Sequence, residues 1–292
     1  MFGGYYLPRH FKDEAFGVGR PQRLIQHMKK TWFTIQQLHT SVFALAEYSH
    51  FEKVISYLVL GNSQAILIDT GMGYESISSV IRQITRLPVH VLLTHTHWDH
   101  IGGISEFAKI SVFNEKNEIQ RLNNGFKSTE KSELQDVALF EKPFMPKRYI
   151  VKGVKGRTLE NLDIIECEPW KFIVWHTPGH TSGSVCFLEK SQGWLFTGDT
   201  LYPGPLYAFE NESDINAYTS SVRYINKYID MVRHIYPGHN ETLSLPTLTS
   251  DAVHVFDRIA KKVQPDTVRD GKGVYAGSML SVLVKDTYSC HS

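Results

Sequence analysis

Short apolar runs separated by polar turns dominate the early part of the chain. The runs are SVFALAEY (41–48), ISYLVLG (55–61) and QAILIDTG (64–71), and all three are rich in β-branched and apolar residues. Asn62 follows Gly61 between the second run and the third, where a turn is expected. The pattern predicts three consecutive strands.

Two later segments change to a period of three or four residues, which is typical of a helix with one buried face. The first is YESISSVIRQITRL (74–87), which carries on that face Ile77, Val80, Ile81 and Ile84. The second is SDINAYTSSVRYINKYID (213–230), which carries Ile215, Tyr218, Val222, Ile225 and Ile229. Ser213 is the predicted N-cap of this second helix.

Apolar runs return between and after these helices. VHVLLTH (89–95), the segments at 164–180 and 183–199, and VRHIYPGHN (232–240) predict further strands, with a hairpin turn at Gln192-Gly193. Strands and helices alternate in two halves of the chain. We therefore expect sheets covered by helices, an α/β class of fold.

Two segments lack this pattern. Residues 1–35 are polar and aromatic and are interrupted by glycine and proline, which predicts an irregular N-terminal extension ahead of one domain over residues 36–292. Residues 115–148 are mostly polar and charged. They are either a solvated helical excursion or, because they lie between two strand-rich halves, an inserted lid or substrate wall.

Composition and charge narrow the class of protein. Of the 292 residues, 42% are hydrophobic and 21% are charged, as in ordinary soluble globular proteins. The formal net charge of +1 gives no electrostatic basis for binding nucleic acid or an anionic membrane. The sequence shows neither 18 consecutive apolar residues nor a signal-peptide core, so we expect no membrane span and a cytoplasmic location. The three cysteines are scattered, which argues against a disulfide framework and against a thiolate metal site.

The segment HTHWDH (95–100) concentrates three of the 14 histidines with an aspartate, directly after a predicted buried strand. His95 and His97 are two residues apart, so their side chains share a face in an extended segment. Imidazole nitrogens and carboxylate oxygens are common zinc ligands. A histidine-rich surface loop is the alternative, but Asp99 and His100 complete a set of four metal-capable positions, which favours a metal site.

Three more metal-capable residues each follow an apolar run and a tight turn. FIVWHTPGH ends at His180, GWLFTGD ends at Asp199 and RHIYPGH ends at His239. A strand followed by a turn presents a side chain on a loop at the edge of a sheet. With HTHWDH, these residues make seven candidate ligands, which are too many for one ion and suit two ions that share a bridging carboxylate.

The order HxHxDH, His, Asp, His resembles the motif set of the metallo-β-lactamase-fold hydrolases, over roughly residues 40–245. The resemblance implies a four-layer αβ/βα sandwich with two sheets inside and helices outside. It also implies one metal held by His95, His97 and His180, a second held by Asp99, His100 and His239, and a bridge at Asp199. Asp69, in LIDTG, matches the aspartate that precedes the first helix in this family. We interpret Asp69 as a residue that fixes a ligand loop by hydrogen bonds, with a simple turn or cap aspartate as the alternative.

Two metals would hold a hydroxide that attacks a substrate carbonyl, because metal binding can lower the pKa of water from about 15.7 to about 7. Asp99 is placed to orient this hydroxide and to pass a proton to the leaving group. Tyr202 lies three residues after Asp199, and its resemblance to a tyrosine of lactone hydrolases in the superfamily implies a contact with the substrate carbonyl. A packed loop aromatic is the alternative. Trp98 and Tyr207 are further candidates for the pocket lining.

The resemblance leaves several reactions open, since one fold hosts many chemistries. TPGHTSGSVCFL and LFTGDTLY look like the glyoxalase II and acyl-thioesterase branch. We therefore expect a thioester hydrolase of the acyl-coenzyme A type. A lactonase of the acyl-homoserine lactone type comes second, and a β-lactamase or another ester or phosphoester hydrolase third. The complete ligand set disfavours a non-catalytic binding protein, and the intact His97 disfavours a di-iron redox enzyme.

Zinc is the expected metal, as two Zn²⁺ ions, because nitrogen and oxygen ligands suit it, and iron or manganese fits the same set. The expected partner is a small-molecule substrate. The aromatic N-terminal extension is a candidate arm for a homodimer.

Overall fold

Strands alternate with a few helices in the part of the chain that the structure, a computed structural model, describes, which is residues 32–128 and 149–285. The strands are β1 (Thr34–His39), β2 (Val42–Ala46), β3 (Ile55–Leu60), β4 (Ala65–Ile68), β5 (Val89–Leu92), β6 (Lys109–Phe113), β7 (Gly125–Ser128), β8 (Tyr149–Lys152), β9 (Arg157–Leu159), β10 (Ile164–Cys167), β11 (Trp170–His176), β12 (Val185–Glu189), β13 (Trp194–Gly198), β14 (Gly204–Ala208), β15 (His234–Pro237), β16 (Thr267–Arg269), β17 (Lys272–Ala276) and β18 (Leu280–Lys285). The α-helices are α1 (Ile77–Ile84), α2 (Lys116–Asn124), α3 (Ile215–Lys227) and α4 (Thr247–Ala260).

Two large sheets form the centre of the fold. The first has seven strands in the order β1-β2-β3-β4-β5-β6-β9, and the second has five in the order β10-β11-β12-β13-β15. β4 and β5 are parallel neighbours in the first sheet, and β13 and β15 are parallel neighbours in the second. Parallel neighbours place their carboxyl ends at the same edge of a sheet, and the loops that carry the candidate ligands begin at these ends.

The two large sheets pack face to face through alternating side chains. In β3, Tyr57 belongs to the hydrophobic cluster between the sheets, and its neighbour Leu58 belongs to the cluster on the opposite face. In β12, Phe187 belongs to the cluster between the sheets, whereas Leu188 belongs to the cluster on the other side. All four side chains are buried. Because both faces are covered, these strands have nearly continuous apolar sequences.

Helices cover both outer faces. Ile77 and Val80 of α1 share a hydrophobic cluster with Leu58 on the first sheet. Val222 of α3 and Phe256 of α4 belong to the cluster on the second sheet. The order helix, sheet, sheet, helix confirms the predicted four-layer αβ/βα sandwich. Among the described residues, no helix combines the length and the apolar character needed to cross a bilayer.

The helix α3 begins one residue later than the sequence predicts. Its N-cap is Asp214, whose side chain accepts hydrogen bonds from the backbone N–H groups of Asn216 and Ala217. The hydroxyl of Ser213, the predicted cap, instead donates a hydrogen bond to the backbone carbonyl of His180 at 3.0 Å. A local capping pattern identifies both residues as candidates, and only the tertiary contact separates them.

The predicted boundary between extension and domain, at residue 35, lies within β1 (Thr34–His39). This strand pairs antiparallel with β2 at the edge of the first sheet. Its side chains are exposed or half-buried, so TIQQLH lacks the apolar alternation by which the other strands are recognised. Residues 1–31, which make up most of the predicted extension and the candidate dimer arm, lie outside the described residues.

The hydrophobic pattern does not predict a third sheet, which has four strands in the order β14-β18-β17-β16. β14 pairs in parallel with β18, so that Gly204 lies opposite Leu280. One face of the sheet is buried through Tyr275 and Val282, which share a cluster with Phe256 of α4. These strands are short and pair across a long stretch of chain, which explains why the sequence does not predict them.

Candidate metal centre

Loops at the carboxyl ends of five strands bring the metal-capable side chains together. HTHWDH lies on the loop after β5, and Asp69 directly follows the parallel neighbour β4. Asp199 directly follows β13, and His239 comes two residues after the parallel neighbour β15. His180 lies on the loop after β11, which runs in the same direction as β13. Each side chain is close in sequence to a paired backbone segment, which holds the site rigidly.

The candidate ligands form two clusters. The first contains His95, His97 and His180, and the second contains Asp99, His100 and His239; in each, the possible ligand atoms lie within 4.8 Å of one another. His97 Nδ1 lies 2.9 Å from His180 Nε2. His100 Nε2 lies 3.2 Å from His239 Nε2. The grouping is the same as the one that the sequence resemblance implies.

Asp199 lies between the two clusters. Its Oδ2 is 3.4 Å from His180 Nε2 and 3.9 Å from His95 Nε2. Its Oδ1 is 3.0 Å from His239 Nε2 and 3.1 Å from His100 Nε2. Each oxygen of one carboxylate therefore faces one cluster, an arrangement suited to a ligand shared by two ions.

The buried donor atoms of the first cluster fit a divalent cation. His95 is 1% exposed, and its Nε2 has no hydrogen-bond partner among the described residues. Burial lowers the pKa of His180 to about 4 and holds the pKa of His95 well below its usual range. Both rings are therefore neutral at pH 7, which is the form that binds a metal.

The second cluster attracts positive charge. Burial lowers the pKa of His239, but the carboxylates of Asp199 and Asp99 outweigh this effect and raise it to about 9. Burial raises the pKa of Asp199, but the neighbouring rings of His239 and His100 hold it well below its usual range. A divalent cation supplies the positive charge that these carboxylates otherwise draw from protons.

The second ring nitrogen of each histidine has a fixed partner. These partners are the Thr94 hydroxyl for His95, the Glu212 carboxylate for His97, the Asp69 carboxylate for His100, the Tyr207 carbonyl for His180 and the Glu52 carbonyl for His239. Contacts of this kind orient the ring and select its tautomer before a metal binds.

Asp69 is 1% exposed, and its carboxylate has three polar contacts. The backbone N–H and the hydroxyl of Thr94 donate to it at 2.8 and 2.7 Å, and His100 Nδ1 lies 2.9 Å away. The side chain therefore ties the start of the HTHWDH loop to the last histidine of that loop. Its backbone φ of +59° lies in the left-handed region, which aspartate tolerates better than most residues.

A charged network behind the first cluster is not predicted by the sequence pattern. Glu212 Oε1 lies 2.8 Å from His97 Nε2, although the two residues are 115 positions apart. Arg121 donates to both oxygens of Glu212, at 2.9 and 2.7 Å, and to Glu118 at 2.9 Å. Glu118 also accepts a hydrogen bond of 2.6 Å from Thr181, next to His180. The network thus supports both loops of the first cluster.

A cavity of about 340 Å³ opens onto the two clusters. Its floor includes Asp99 and Asp199, and its aromatic walls are formed by Phe51, Trp98, Tyr202, Tyr207 and Phe209. Trp98 and Tyr207 therefore line the pocket, as the sequence predicts. Aromatic walls with a few polar groups at the floor are typical of a site for a small molecule.

The described part of the polar segment 115–148 contacts the ligand loops. α2 (Lys116–Asn124) carries Glu118 and Arg121, whose side chains contact the ligand loops. Of the described residues that line the cavity, none comes from 115–128. The charged side chains of α2 thus hold the ligand loops, and the lid or substrate-wall interpretation of residues 115–148 stays a prediction. Residues 129–148 lie outside the described residues.

Tyr202 lines the cavity, and its ring centre lies 5.0 Å from that of His239. Its hydroxyl donates a hydrogen bond of 2.6 Å to the backbone carbonyl of Pro205. Burial raises the pKa of Tyr202 well above its usual range, so the phenol keeps its proton. This hydrogen bond supports the alternative of a packed loop aromatic, and the contact with the substrate carbonyl stays a prediction.

We expect Glu212→Gln to weaken metal binding about 10–100-fold, the range typical when a partner of a metal-binding histidine is removed. The glutamine amide lacks the negative charge with which Glu212 contacts both His97 and Arg121. Competition with a chromogenic chelator measures the change. Glu210→Gln is the matched control, because it makes the same substitution two residues earlier at a side chain that lines the cavity. Equal metal affinity in the two variants would show that the contact with His97 is dispensable.

Comparisons with known proteins agree with this geometry. A family model for the metallo-beta-lactamase superfamily matches residues 52–262. The human acyl-coenzyme A thioesterase MBLAC2 is 26% identical over 235 residues, which cover 74% of this chain and 84% of that protein. The atrochrysone carboxyl ACP thioesterase of Aspergillus chevalieri is 26% identical over 197 residues, 65% of this chain and 52% of that protein. A solved metallo-beta-lactamase from Pontibacter korlensis shares the fold, with a TM-score of 0.60 and 16% sequence identity. The superposition covers 77% of this chain and 99% of that protein.

Proposed function

The chain belongs to the metallo-beta-lactamase superfamily and is a metal-dependent hydrolase, and from this premise we propose that it cleaves acyl thioesters at a centre of two divalent ions. The observation that carries the two-ion centre is Asp199, whose two oxygens face two clusters of ligands at the floor of one cavity. The thioester substrate is supported by the relatives, since the human and the fungal protein are both named as thioesterases.

The seven candidate ligands divide between the two ions. His95, His97 and His180 would hold one ion, Asp99, His100 and His239 the other, and Asp199 both. Two ions held by these residues would supply a bound water of lowered pKa and positive charge beside the substrate carbonyl. We propose zinc, because its preferred ligands are imidazole nitrogen and carboxylate oxygen, as in this donor set.

Asp99 is the proposed proton carrier. Its carboxylate lines the cavity, and its Oδ2 lies 3.6 Å from His100 Nε2 and 3.7 Å from His239 Nε2. In thioester hydrolysis the oxygen of water bonds to the carbonyl carbon, the carbon–sulfur bond breaks, and a proton from water ends on sulfur. A carboxylate at the floor of the cavity accepts that proton and returns it to the leaving thiolate.

The aromatic walls are suited to an acyl group. Phe51 and Trp98 offer apolar surface beside the ligand clusters, where a hydrocarbon chain excludes water from the reacting carbonyl. For the lactonase alternative, the resemblance at Tyr202 implies a hydroxyl directed at the substrate carbonyl. That hydroxyl donates to Pro205, so no observation favours a lactone over a thioester.

The test compares hydrolysis of a long-chain acyl-coenzyme A with hydrolysis of an acyl-homoserine lactone, each with and without a chelator. We expect thioester cleavage that the chelator abolishes and that added zinc restores. Lactone cleavage alone would replace the thioesterase assignment by a lactonase. Thioester cleavage that persists after complete metal removal would contradict the metal-dependent mechanism.

A further inference from the structure

Three cations lie side by side across the third sheet. In the register of the strands, Arg269 of β16 is the partner of Lys272 of β17, and Lys272 is the partner of Lys285 of β18. Directly opposite residues on adjacent strands project from the same face of a sheet, so these side chains form a row, here called the basic row. The face is the open one, because Tyr275 and Val282 project from the other face into the hydrophobic cluster.

The basic row reaches the cavity. Lys272 lines the cavity together with Leu283 of β18 and Tyr207 of β14, which are register partners on the same face of this sheet. Lys272 Nζ lies 4.2 Å from the ring centre of Phe209, which also lines the cavity. The aromatic ring positions the ammonium group by a cation–π contact and does not neutralise its charge. Lys272 therefore presents a positioned cation to whatever enters.

The basic row is unfavourable for the sheet by itself. Like charges directly opposite on neighbouring strands are destabilising. Within the described residues, the ion pairs of lysine and arginine are made by Arg121, Lys171, Arg223 and Arg258, and none includes the basic row. Lys285 donates to the uncharged amide of Asn211 at 3.2 Å. Three neighbouring cations that have no carboxylate partner within residues 32–128 and 149–285 make this face attractive to an anion.

The charged residues that line the cavity bear on how an anionic substrate is oriented there. Besides the ligands Asp99 and Asp199, the lining contains Glu52 and Glu210, and among the described lining residues Lys272 is the one lysine or arginine. The scissile carbonyl has to lie at the ligand clusters, where the proposed ions would act, and the basic row attracts the phosphates of the same substrate. An anionic substrate would therefore place its phosphates at the row and its uncharged part toward the ligand clusters.

We propose that the basic row binds the phosphate groups of the leaving thiol, so that the substrates are acyl thioesters of a phosphorylated carrier. This inference rests on the proposed thioesterase function and specifies which part of the substrate the chain recognises. Arg269 and Lys285 are exposed, and Lys272, which lies between them in the sheet, is half-buried and lines the cavity. The row thus sets specificity and takes no part in bond cleavage.

The experiment compares two thioesters of one acyl group, one on coenzyme A and one on N-acetylcysteamine, which carries no phosphate. The measured quantity is the kcat/KM of the coenzyme A thioester divided by the kcat/KM of the N-acetylcysteamine thioester. An exposed ion pair contributes about threefold in affinity, so the triple variant R269A/K272A/K285A is expected to lower this ratio about 30-fold, and Lys272→Ala alone about threefold. High salt is expected to lower the wild-type ratio in the same direction, since it screens exposed charges.

Lys227→Ala is the matched control for the basic row. Its ammonium also lies over an aromatic ring, 5.2 Å from the ring centre of Tyr228, but it is not among the residues that line the cavity. We expect the ratio of the control to equal that of the wild type. An unchanged ratio in the triple variant, with both thioesters cleaved, would overturn the role of the basic row and leave the thioesterase function standing.

A wild-type protein that cleaves neither thioester would overturn the proposed function instead. The basic row is then tested by binding of coenzyme A itself to the metal-loaded protein, measured by titration calorimetry. Binding weaker by about tenfold or more in the triple variant would support the row, because each lost ion pair lowers the affinity. Equal affinity in the wild type and the triple variant would overturn it.

Discussion

Asp199→Asn is expected to reduce hydrolysis by about 10³-fold or more, beyond the ~10–100-fold loss typical when only an outer partner of a ligand is removed. The reason is the shared position of this carboxylate, because Oδ1 faces His100 and His239 while Oδ2 faces His95 and His180. A neutral amide of the same size removes a negative charge from both clusters at once. We therefore also expect the purified variant to carry less metal than the wild type.

Metal content by elemental analysis and kcat with an acyl thioester measure the two effects of Asp199→Asn. Asp214→Asn is the matched control, since it makes the same isosteric change at the N-cap of α3, where asparagine is as good a cap as aspartate. The control is expected to keep the metal content and the activity of the wild type. Full metal content and full activity in Asp199→Asn would refute the shared ligand.

Asp69→Asn is expected to lower the free energy of unfolding of the metal-free protein by about 2–3 kcal/mol, because it leaves a buried polar group without its partner. The carboxylate accepts from two groups of Thr94 and contacts His100 Nδ1. An amide offers one oxygen in place of two, so one of these donors meets an NH₂ group. Asparagine tolerates the left-handed backbone at this position, so the loss reports on the hydrogen bonds and not on strain.

Denaturant titration of the metal-free protein measures the stability of Asp69→Asn, and chelator competition measures its metal affinity. The affinity is expected to fall about 10–100-fold, because the ring of His100 loses the partner that orients it. Asp163→Asn is the control, a half-buried carboxylate that accepts one backbone hydrogen bond from Glu160, and its expected cost is about 1 kcal/mol or less. Equal losses in the two variants would mean that Asp69 is an ordinary turn aspartate.

The candidate ligands can be identified from the sequence because each lies close in sequence to the strand that positions it. Asp69 and Asp199 directly follow β4 and β13, so the apolar run and its polar end occur in one short segment. The strands and helices that build the layers can be identified for a related reason. Strands covered on both faces are apolar throughout, and a helix covered on one face is apolar at every third or fourth position.

The hydrogen-bond and ion-pair partners of the ligands cannot be identified in this way. Glu212 meets His97 across 115 positions, and neither residue carries a local sign of the other. Glu118 belongs to a polar segment that the pattern describes as solvated, yet it is fully buried because Arg121 and Thr181 compensate its charge. Burial of a charged group depends on its neighbours in space, so the sequence alone assigned this helix to the surface or to a lid.

The sequence by itself identified the seven candidate ligands and the alternation of strands and helices, because these depend on residues that are neighbours along the chain. The resemblance of its motif order to a known family implied the αβ/βα layers and the class of chemistry. The tertiary structure decided which carboxylate orients which histidine, and where the Tyr202 hydroxyl points. It also aligned Arg269, Lys272 and Lys285 in one row beside the cavity. These features arise where strands and loops that are distant in sequence come into contact. The hydrophobic period of a segment indicates which of its faces is buried, but not which charged residues contact it.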